Sequence, residues 1–135
     1  MAIQVVAEQE FLVGAPSVLE GRAPGGSFAA VFEDDGDTGY FYALDANEQA
    51  SPLQDAVHIY NVANVSDRAK PVCAVIGWSI DNRKAVLLLN DHPHAIFDFD
   101  KKRGYCRTGF PPPKPESEWS IDGHAWSETA IELFE

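Results

Sequence analysis

Two histidines one residue apart, His92 and His94, have a spacing that points directly to metal chemistry. Side chains at positions i and i+2 of a strand point to the same face, so both imidazoles could bind one metal ion. Pro93 lies between them, however, and strands are predicted on both sides, which favours a turn with solvated side chains. We therefore predict no metal at this position, and no cofactor elsewhere in the chain.

An acidic run, Glu33-Asp34-Asp35-Gly36-Asp37, supplies the oxygen ligands that Ca²⁺ prefers. A helix–loop–helix calcium loop also needs acids at alternating positions, a fixed glycine and a closing glutamate. Counting from Asp34 puts Gly36 where an acid is needed, and counting from Asp35 puts Ala46 at the closing position. Both flanking runs are typical of strands, and we therefore predict a solvated hairpin tip.

A basic segment, Lys101 to Phe110, could bind an anion. Arg103 and Arg107 can hold a carboxylate or a phosphate through two parallel hydrogen bonds, and Tyr105 adds a ring and a hydroxyl. Cys106 lies between Tyr105 and Arg107, where nearby cations could lower the pKa of its thiol. The segment does not match a phosphate-loop pattern. The favoured interpretation is that its arginines pair with the protein's own acids, and anion binding is the alternative.

A second ligand-binding hypothesis concerns His58, Tyr60 and Tyr42, which strand alternation could place on one face of a sheet. Histidine and tyrosine side chains on a sheet face can line a ligand pocket. Half-buried side chains whose polar tips reach water would have the same spacing. The sequence leaves both interpretations open.

Short apolar runs with period-two alternation, separated by turn residues, predict a mainly β to α+β fold. We expect an antiparallel meander sheet of about seven strands, because no helical insert long enough for a parallel crossover separates the runs. Ser27–Phe32 and Tyr40–Leu44 predict a hairpin through the acidic turn, and Val72–Ile80, apolar on both faces, predicts a central strand. Four further strands are predicted at Glu10–Val13, Val57–Val62, Ala85–Asn90 and Ala95–Phe99, with a loop over Gly14–Gly26 and a segment compatible with a helical turn over Leu53–Val57.

The length predicts a single domain, residues 1–135, with a β-sheet core at residues 10–110. Residues 111–117, here called the strap, hold four prolines, which fix an extended and stiff backbone. Residues 118–135 contain Trp119, Trp126 and Phe134 and are too apolar for a loose tail. A short C-terminal helix is favoured there over a last strand.

The charge and the cysteine usage exclude several classes of protein. Ten Lys and Arg against 21 Asp and Glu give a formal net charge of −11, which the phosphate backbone of a nucleic acid would repel. No apolar run approaches the roughly 20 residues of a membrane span, and the start lacks the basic and apolar regions of a secretory signal. The two cysteines form neither a disulfide framework nor a metal-binding pattern, which indicates a reducing, cytoplasmic environment. Together with the lack of a membrane span, this predicts a cytoplasmic protein without a membrane partner.

Four segments together carry a family resemblance: Phe32–Asp45, His58–Val62, Trp78-Ser79 and Phe97–Arg107. They resemble a small family of bacterial proteins known as a domain of unknown function, DUF2251, over roughly residues 28 to 112. The resemblance implies a bacterial, single-domain, soluble protein. It implies no activity, and it therefore assigns no catalytic residue.

The charge, and the absence of a readable catalytic set, favour a non-enzymatic protein that binds a basic protein partner. Small immunity proteins, which neutralise basic toxins, are one bacterial class that fits this description by analogy. The net negative charge is concentrated in the N-terminal half, where residues 1–67 hold 11 acidic residues and only one Lys or Arg, Arg22, and there we predict the partner-binding surface. The acidic residues predicted to form it are Glu33, Asp34, Asp35, Asp37, Asp45 and Asp55.

The alternative function is a small-molecule or anion-binding protein, or an enzyme. The residues that would bind the ligand are His58, Tyr60, Arg103, Tyr105 and Arg107. The sequence does not decide between a monomer and a homo-oligomer, in which the apolar C-terminal segment would pack on another subunit.

Overall fold

Nine β-strands and two short 3₁₀ helices form the computed structural model, which describes residues 1–135. The strands are β1 Gln4–Phe11, β2 Ser17–Arg22, β3 Phe28–Asp34, β4 Thr38–Asp45, β5 Leu53–Asn61, β6 Val72–Trp78, β7 Lys84–Leu89, β8 His92–Asp98 and β9 Arg103–Cys106. The 3₁₀ helices are Val62–Asn64 and Glu128–Phe134. Neither has the length and the apolar character that a membrane-crossing helix requires.

The strands form two antiparallel sheets that pack face to face. One sheet has the order β2-β3-β4-β5, and the other has the order β1-β6-β7-β8-β9. Alternate residues of both sheets point inward and bury one shared core. Aromatic rings stack across this core, with centroid distances of 5.0 Å for Phe41 and Phe97 and 4.2 Å for Phe28 and Phe99. The predicted mainly β class is confirmed, with nine strands in two sheets where a single meander of about seven was expected.

The predicted hairpin through the acidic turn is confirmed as β3 and β4, which pair from Phe28 opposite Asp45 to Asp34 opposite Gly39. The expectation of an uninterrupted loop over Gly14–Gly26 is wrong, because β2 occupies its middle and pairs with β3 along its whole length. The indole N–H of Trp78 in the opposite sheet donates to the Gly21 carbonyl at 3.2 Å. Long-range contacts therefore define a strand that its own composition does not indicate.

Two further local predictions are wrong. Leu53–Val57 is not a helical turn but the start of β5, which continues to Asn61 and pairs with β4. His92 and His94 do not lie in a turn, because β8 begins at His92 and the turn is made by Asn90 and Asp91. Both of those turn residues have positive φ, at 50° and 67°, a conformation that Asn and Asp tolerate better than most residues.

The C-terminal segment covers the second face of the five-stranded sheet. Its last element is the 3₁₀ helix Glu128–Phe134, so a short helix is present. Phe134 and Ala130 from this helix pack on Val86 of β7 and Ile96 of β8, and all four side chains are buried. The apolar character of the central strands on both faces is thereby explained. The C-terminal segment packs on its own sheet, which removes the reason for expecting it to pack on another subunit.

We expect Phe134→Ala to lower the free energy of unfolding by about 3 kcal/mol, the usual loss for a buried Phe truncated to Ala. Phe134 is only 2% exposed. Ile121, which is 69% exposed in the same C-terminal region, provides the matched control. Ile121→Ala should change stability by less than about 0.5 kcal/mol. Equal effects of the two substitutions in chemical denaturation would contradict the packing described.

Candidate functional site

The outer face of the four-stranded sheet is the large surface that no other part of the chain covers. Cross-strand pairs place Glu33 beside Tyr40, Val31 beside Tyr42, and Tyr40 beside His58 on this face. The rings of Tyr40 and Tyr42 stack with their centroids 6.1 Å apart and an interplanar angle of 19°. We call this surface the tyrosine face and define it by Val18, Val31, Glu33, Tyr40, Tyr42, His58 and Phe110.

A shallow depression at one end of the tyrosine face is lined by Tyr40, His58 and Phe110. The imidazole of His58 lies edge-on to both rings, with centroid distances of 5.5 Å to Tyr40 and 5.8 Å to Phe110. The ring nitrogens of His58 are within hydrogen-bond distance of Thr108 Oγ1 and Asn61 Oδ1, at 3.1 and 2.9 Å. These contacts hold an aromatic patch in place although Phe110 is 50% exposed.

The predicted acid Glu33 lies directly on the tyrosine face. The Tyr42 hydroxyl donates to the Glu33 carboxylate at 3.2 Å. Partial burial, the negative charge of Glu33 and this hydrogen bond raise the pKa of Tyr42 to about 12. Tyr42 is therefore a neutral donor that orients Glu33, and the pair presents a fixed carboxylate beside an aromatic ring.

The next predicted acid, Asp34, is not available to a partner because it is 1% exposed. Its carboxylate accepts hydrogen bonds from the Gly14 and Gly36 N–H groups, both at 2.8 Å, and from the Tyr60 hydroxyl at 2.7 Å. Burial of the ring, reinforced by the bond to Asp34 and its charge, raises the pKa of Tyr60. This carboxylate joins the loop before β2, the hairpin tip and β5.

Asp35 and Asp37 form the exposed part of the hairpin tip. Asp35 Oδ1 accepts the N–H groups of Asp37 and Thr38, both at 2.9 Å, and these bonds lower the pKa of Asp35. Asp35 and Asp37 follow Glu33 at the same end of the sheet, so these three predicted acids come together.

The remaining two predicted acids do not join this group. Asp45 lies at the opposite end of β4, where it accepts the Ser27 hydroxyl at 2.6 Å and the Asn47 N–H at 3.0 Å. Asp55 points to the inner side of β5, and only 11% of its side chain is exposed. Three of the six predicted acids thus form one acidic end of the tyrosine face, and two of the other three are buried.

His58, Tyr60 and Tyr42 do not share one face as hypothesised. The pairing of β4 with β5 shifts between Gly39 and Tyr40, so that Tyr40 is opposite His58 while Gly39 is opposite Tyr60. This irregularity turns Tyr60 inward, where its ring fills the space beside Gly39. A Cβ on Gly39 would lie 2.6 Å from that ring. The prediction from strand alternation is wrong here because a β-bulge shifts the inward–outward alternation of side chains along a strand, and no residue type in the sequence indicates this bulge.

Arg103 of β9 and Arg107, which follows this strand, lie against aromatic rings of the protein, and they do not line a cavity with His58 or Tyr60. The guanidinium carbon of Arg103 lies 4.6 Å from the centroid of the Tyr105 ring. Arg107 lies 4.0 Å from the Trp126 ring and donates to the Pro93 carbonyl at 3.0 Å. It also pairs with Glu128 at 3.1 Å, a contact of the type that the favoured interpretation expected.

A buried polar cluster that the sequence analysis missed joins β5 to the C-terminal segment. His124, 3% exposed, has its Nε2 at 3.0 Å from both carboxylate oxygens of Asp55. The Ser120 hydroxyl donates to Asp55 Oδ2 at 2.7 Å, and the Gly104 N–H donates to Ser120 Oγ at 2.8 Å. Gly104 permits this approach, since a Cβ there would lie 2.9 Å from Asp55 Oδ2.

The partners of His124 require its protonated form. Nδ1 faces the Pro111 carbonyl at 2.6 Å and Nε2 faces the Asp55 carboxylate, and both partners accept hydrogen bonds only. A neutral imidazole has one N–H and could satisfy only one of them. Burial of the ring and the nearby charge of Arg103 lower the pKa of His124, but the hydrogen bonds and the charge of Asp55 outweigh them, and the net pKa is raised.

The three side chains Ser120, Asp55 and His124 do not form a nucleophilic triad. In a hydrolase the serine donates to the histidine, which takes its proton. Here the serine and the histidine both donate to the aspartate, and Ser120 is 2% exposed. The arrangement is that of a structural hydrogen-bond cluster, which connects β5, the strap and the C-terminal segment.

Histidine, cysteine and acidic side chains do not gather into a group of three or more that could hold a metal ion. His94, on β8, is partly buried near Arg107 and His92. Burial, with smaller contributions from Arg107 and His92, lowers the pKa of His94. Its imidazole is therefore neutral at pH 7.

The His124–Asp55 pair predicts a specific pH dependence of stability. Because the folded-state pKa of His124 is raised above 6.5, its contribution is fully present below pH 6.5 and is lost as the pH rises through the folded-state value. His124→Gln should lower the free energy of unfolding by about 3 kcal/mol at pH 6 and remove this alkaline loss. Urea denaturation across the pH range gives the comparison.

The control for this experiment is His92→Gln, since His92 is exposed on the same protein. It should leave the difference in stability between pH 6 and pH 9 unchanged. If the free energies of unfolding of the wild type and of His124→Gln fall in parallel above pH 6.5, the buried pair does not titrate in this way.

The two thiols should react differently with iodoacetamide. Cys106 is 0% exposed, and its Sγ lies 3.4 Å from the Phe110 carbonyl oxygen, so it should stay unmodified in the native protein. Partial burial and the charges of Glu8, Asp91 and Glu10 raise the pKa of Cys73, which should therefore react more slowly than a free thiol. Peptide mapping by mass spectrometry, with a denatured sample as control, measures both rates. Native labelling of Cys106 at the rate of a free thiol would contradict its placement.

Comparison with known proteins confirms the resemblance and extends it along the chain. The model of the family described as "Uncharacterized protein conserved in bacteria (DUF2251)" matches residues 11–135. An uncharacterized protein of Haemophilus influenzae is 38% identical over 119 residues, which cover 87% of this chain and 74% of that relative. No solved structure matches the chain. Because the family model covers β2 to β9 and the C-terminal segment, the chain belongs to the bacterial DUF2251 family.

Proposed function

We propose that this protein is a non-enzymatic binding protein that recognises a basic protein partner through the tyrosine face. The observation that carries the proposal is the unequal covering of the two sheets. The outer face of the five-stranded sheet lies under the C-terminal helix, whereas the outer face of the four-stranded sheet has no cover from this chain. A face that exposes Val18 and Phe110 beside half-buried tyrosines is typical of an interaction surface.

The composition of the face supports a protein partner. Tyrosine is enriched at the centre of protein interfaces, where its ring supplies apolar area and its hydroxyl a hydrogen bond. Tyr40 and Tyr42 are stacked and immobilised by neighbours, so little conformational entropy is lost when a partner covers them. Val18, which is 60% exposed, extends the apolar area towards β2.

The charge of the face supports a basic partner. Glu33 lies beside the two tyrosines, and Asp35 and Asp37 stand exposed at the adjacent tip. A lysine or arginine side chain placed here could contact an aromatic ring and a carboxylate together. Arg22, the only base among residues 1–67, already pairs with Glu20 at 2.7 Å.

Ion pairs inside the chain also leave acid in excess on the rest of the surface. Four of the nine Lys and Arg residues after residue 67 have an acidic partner within the chain. These pairs are Arg83–Asp100, Lys84–Asp100, Lys84–Asp81, Lys102–Glu118 and Arg107–Glu128. A strongly negative protein attracts a basic partner over distances of about 10 Å at 0.1 M salt, which accelerates association.

Immunity proteins provide the nearest analogy for such a role, because a small acidic protein neutralises a basic toxin by covering it. The proposal places this protein in the cytoplasm, where the thiols of Cys73 and Cys106 would stay reduced. The alternative ligand site formed by His58, Tyr60, Arg103, Tyr105 and Arg107 is less well supported, because these side chains line no common cavity.

Charge reversal at the acidic end of the tyrosine face should strongly weaken binding. The double variant Glu33→Lys and Asp37→Lys should recover at least about tenfold less partner from the native lysate at low salt, because like charges then face each other. Asp35 is left unchanged, since its carboxylate holds the turn. Quantitative mass spectrometry of the captured proteins provides the measurement.

The matched control reverses two exposed acids of the C-terminal segment, Asp122→Lys and Glu132→Lys, with the same change in net charge. A basic partner that depends on the tyrosine face should bind this control as it binds the wild type. If both double variants lose the partner equally, binding follows the net charge and the proposed surface is wrong.

A further inference from the structure

A cleft of about 280 Å³ opens between the start of β5 and the strap, at the free edge of the four-stranded sheet. It lies apart from the tyrosine face, because none of its lining residues belongs to that face. The polar residues that line it are Ser51, Gln54, Asp55, Lys114, Ser117 and His124. A cavity of this kind, with a few convergent polar groups, is a candidate binding site for a small molecule.

The floor of the cleft is electrically neutral and has its hydrogen bonds complete. The charge of the His124 imidazolium is balanced by Asp55, and both ring nitrogens have partners. Asp55 accepts further bonds from the Ser120 hydroxyl and from the Ala56 N–H at 2.9 Å. A ligand would therefore contact this floor without having to replace any of its bonds.

The walls, in contrast, offer donors that no group in the protein uses. Lys114 makes no ion pair and supplies a free ammonium group. The ring of Trp119 forms part of the lining, whereas its indole N–H is buried inside the protein without an acceptor. Ser117 Oγ accepts the Trp119 backbone N–H at 3.0 Å, which leaves its own proton free. A donor-rich wall is complementary to a ligand that accepts hydrogen bonds.

The charge of the cleft and its remaining lining residues narrow the chemical class of ligand that it could bind. With His124 and Asp55 balanced, Lys114 leaves one positive charge in the cleft, which matches a monoanion. Leu53 and the rings of Pro111, Pro112 and Trp119 complete the lining with apolar surface. A strongly hydrated phosphate dianion would find only one cation there, whereas an organic acid could also bury its hydrocarbon part against the apolar portion of the lining.

We propose that this cleft binds a small organic monocarboxylate, whose carboxylate pairs with Lys114 and whose apolar body lies against Trp119 and the strap prolines. The site is independent of the proposed protein-binding function, since it shares no residue with the tyrosine face. In a protein with a net charge of −11, it provides a local position where an anion is attracted.

The test is a titration of ¹⁵N-labelled protein with benzoate at constant ionic strength, followed through the indole N–H resonances. The chain has three tryptophans, and Trp119→Phe assigns the resonance of interest. We expect the Trp119 signal to shift saturably with benzoate and not with benzamide, its neutral counterpart. Inorganic phosphate, as a third arm, should bind more weakly than benzoate.

Lys114→Ala should weaken benzoate binding about tenfold, the usual loss for a hydrogen bond to a charged group. Lys101→Ala, which removes another exposed lysine without an ion pair, is the matched control and should bind benzoate as the wild type does. The proposal is overturned if the Trp119 signal does not saturate, if benzamide or phosphate binds as well as benzoate, or if Lys114→Ala has no effect.

Discussion

The central strands of the five-stranded sheet carry apolar side chains on both faces, and both faces must be kept from water. The inner face is covered by the four-stranded sheet, and the outer face by the C-terminal helix with Phe134 and Ala130. Because the chain has only one further sheet and one such helix, nothing is left to cover the outer face of the four-stranded sheet. Both faces of β7 and β8 are therefore covered, whereas Tyr40 and Tyr42 on the outer face of the other sheet stay only half-buried and can be reached by a partner.

Buried carboxylates organise the loops around this two-sheet core. Asp34, Asp55 and Asp98 are each nearly inaccessible, and each accepts several N–H or O–H groups. A buried carboxylate is tolerated when donors surround it, and it then fixes the segments that supply them. The high acid content therefore has two roles. Some acids hold turns and the strap inside the fold, while others, such as Glu33 and Asp37, are left for the surface.

The sequence predicted what depends on local pattern. The hairpin through Glu33–Asp37 follows from two alternating runs and a turn, and the double burial of β6 follows from its apolar residues on both faces. β2 was not predicted, because the residue types of Glu20, Gly21 and Arg22 do not favour a strand. The strand is defined by its pairing with β3. The Asp55–His124 pair joins residues 69 positions apart, and no motif links them. Similarly, the bulge that turns Tyr60 inward arises from pairing with β4 and not from the residues of β5 alone.

Of all the strand pairs, that of β1 with β6 alone joins strands that are not consecutive, with Gln4 opposite Trp78 and Phe11 opposite Val72. Every other pair joins two strands that are consecutive in the sequence. The whole four-stranded sheet, β2–β5, is therefore formed by the part of the chain that lies between β1 and its partner β6. Local pairs lose little entropy on closing, whereas β1 must close a loop that contains an entire sheet. We therefore expect the order of events in folding to be set by this single closure. The hairpins should form early, and β1 should arrive late and complete the five-stranded sheet in the rate-limiting step.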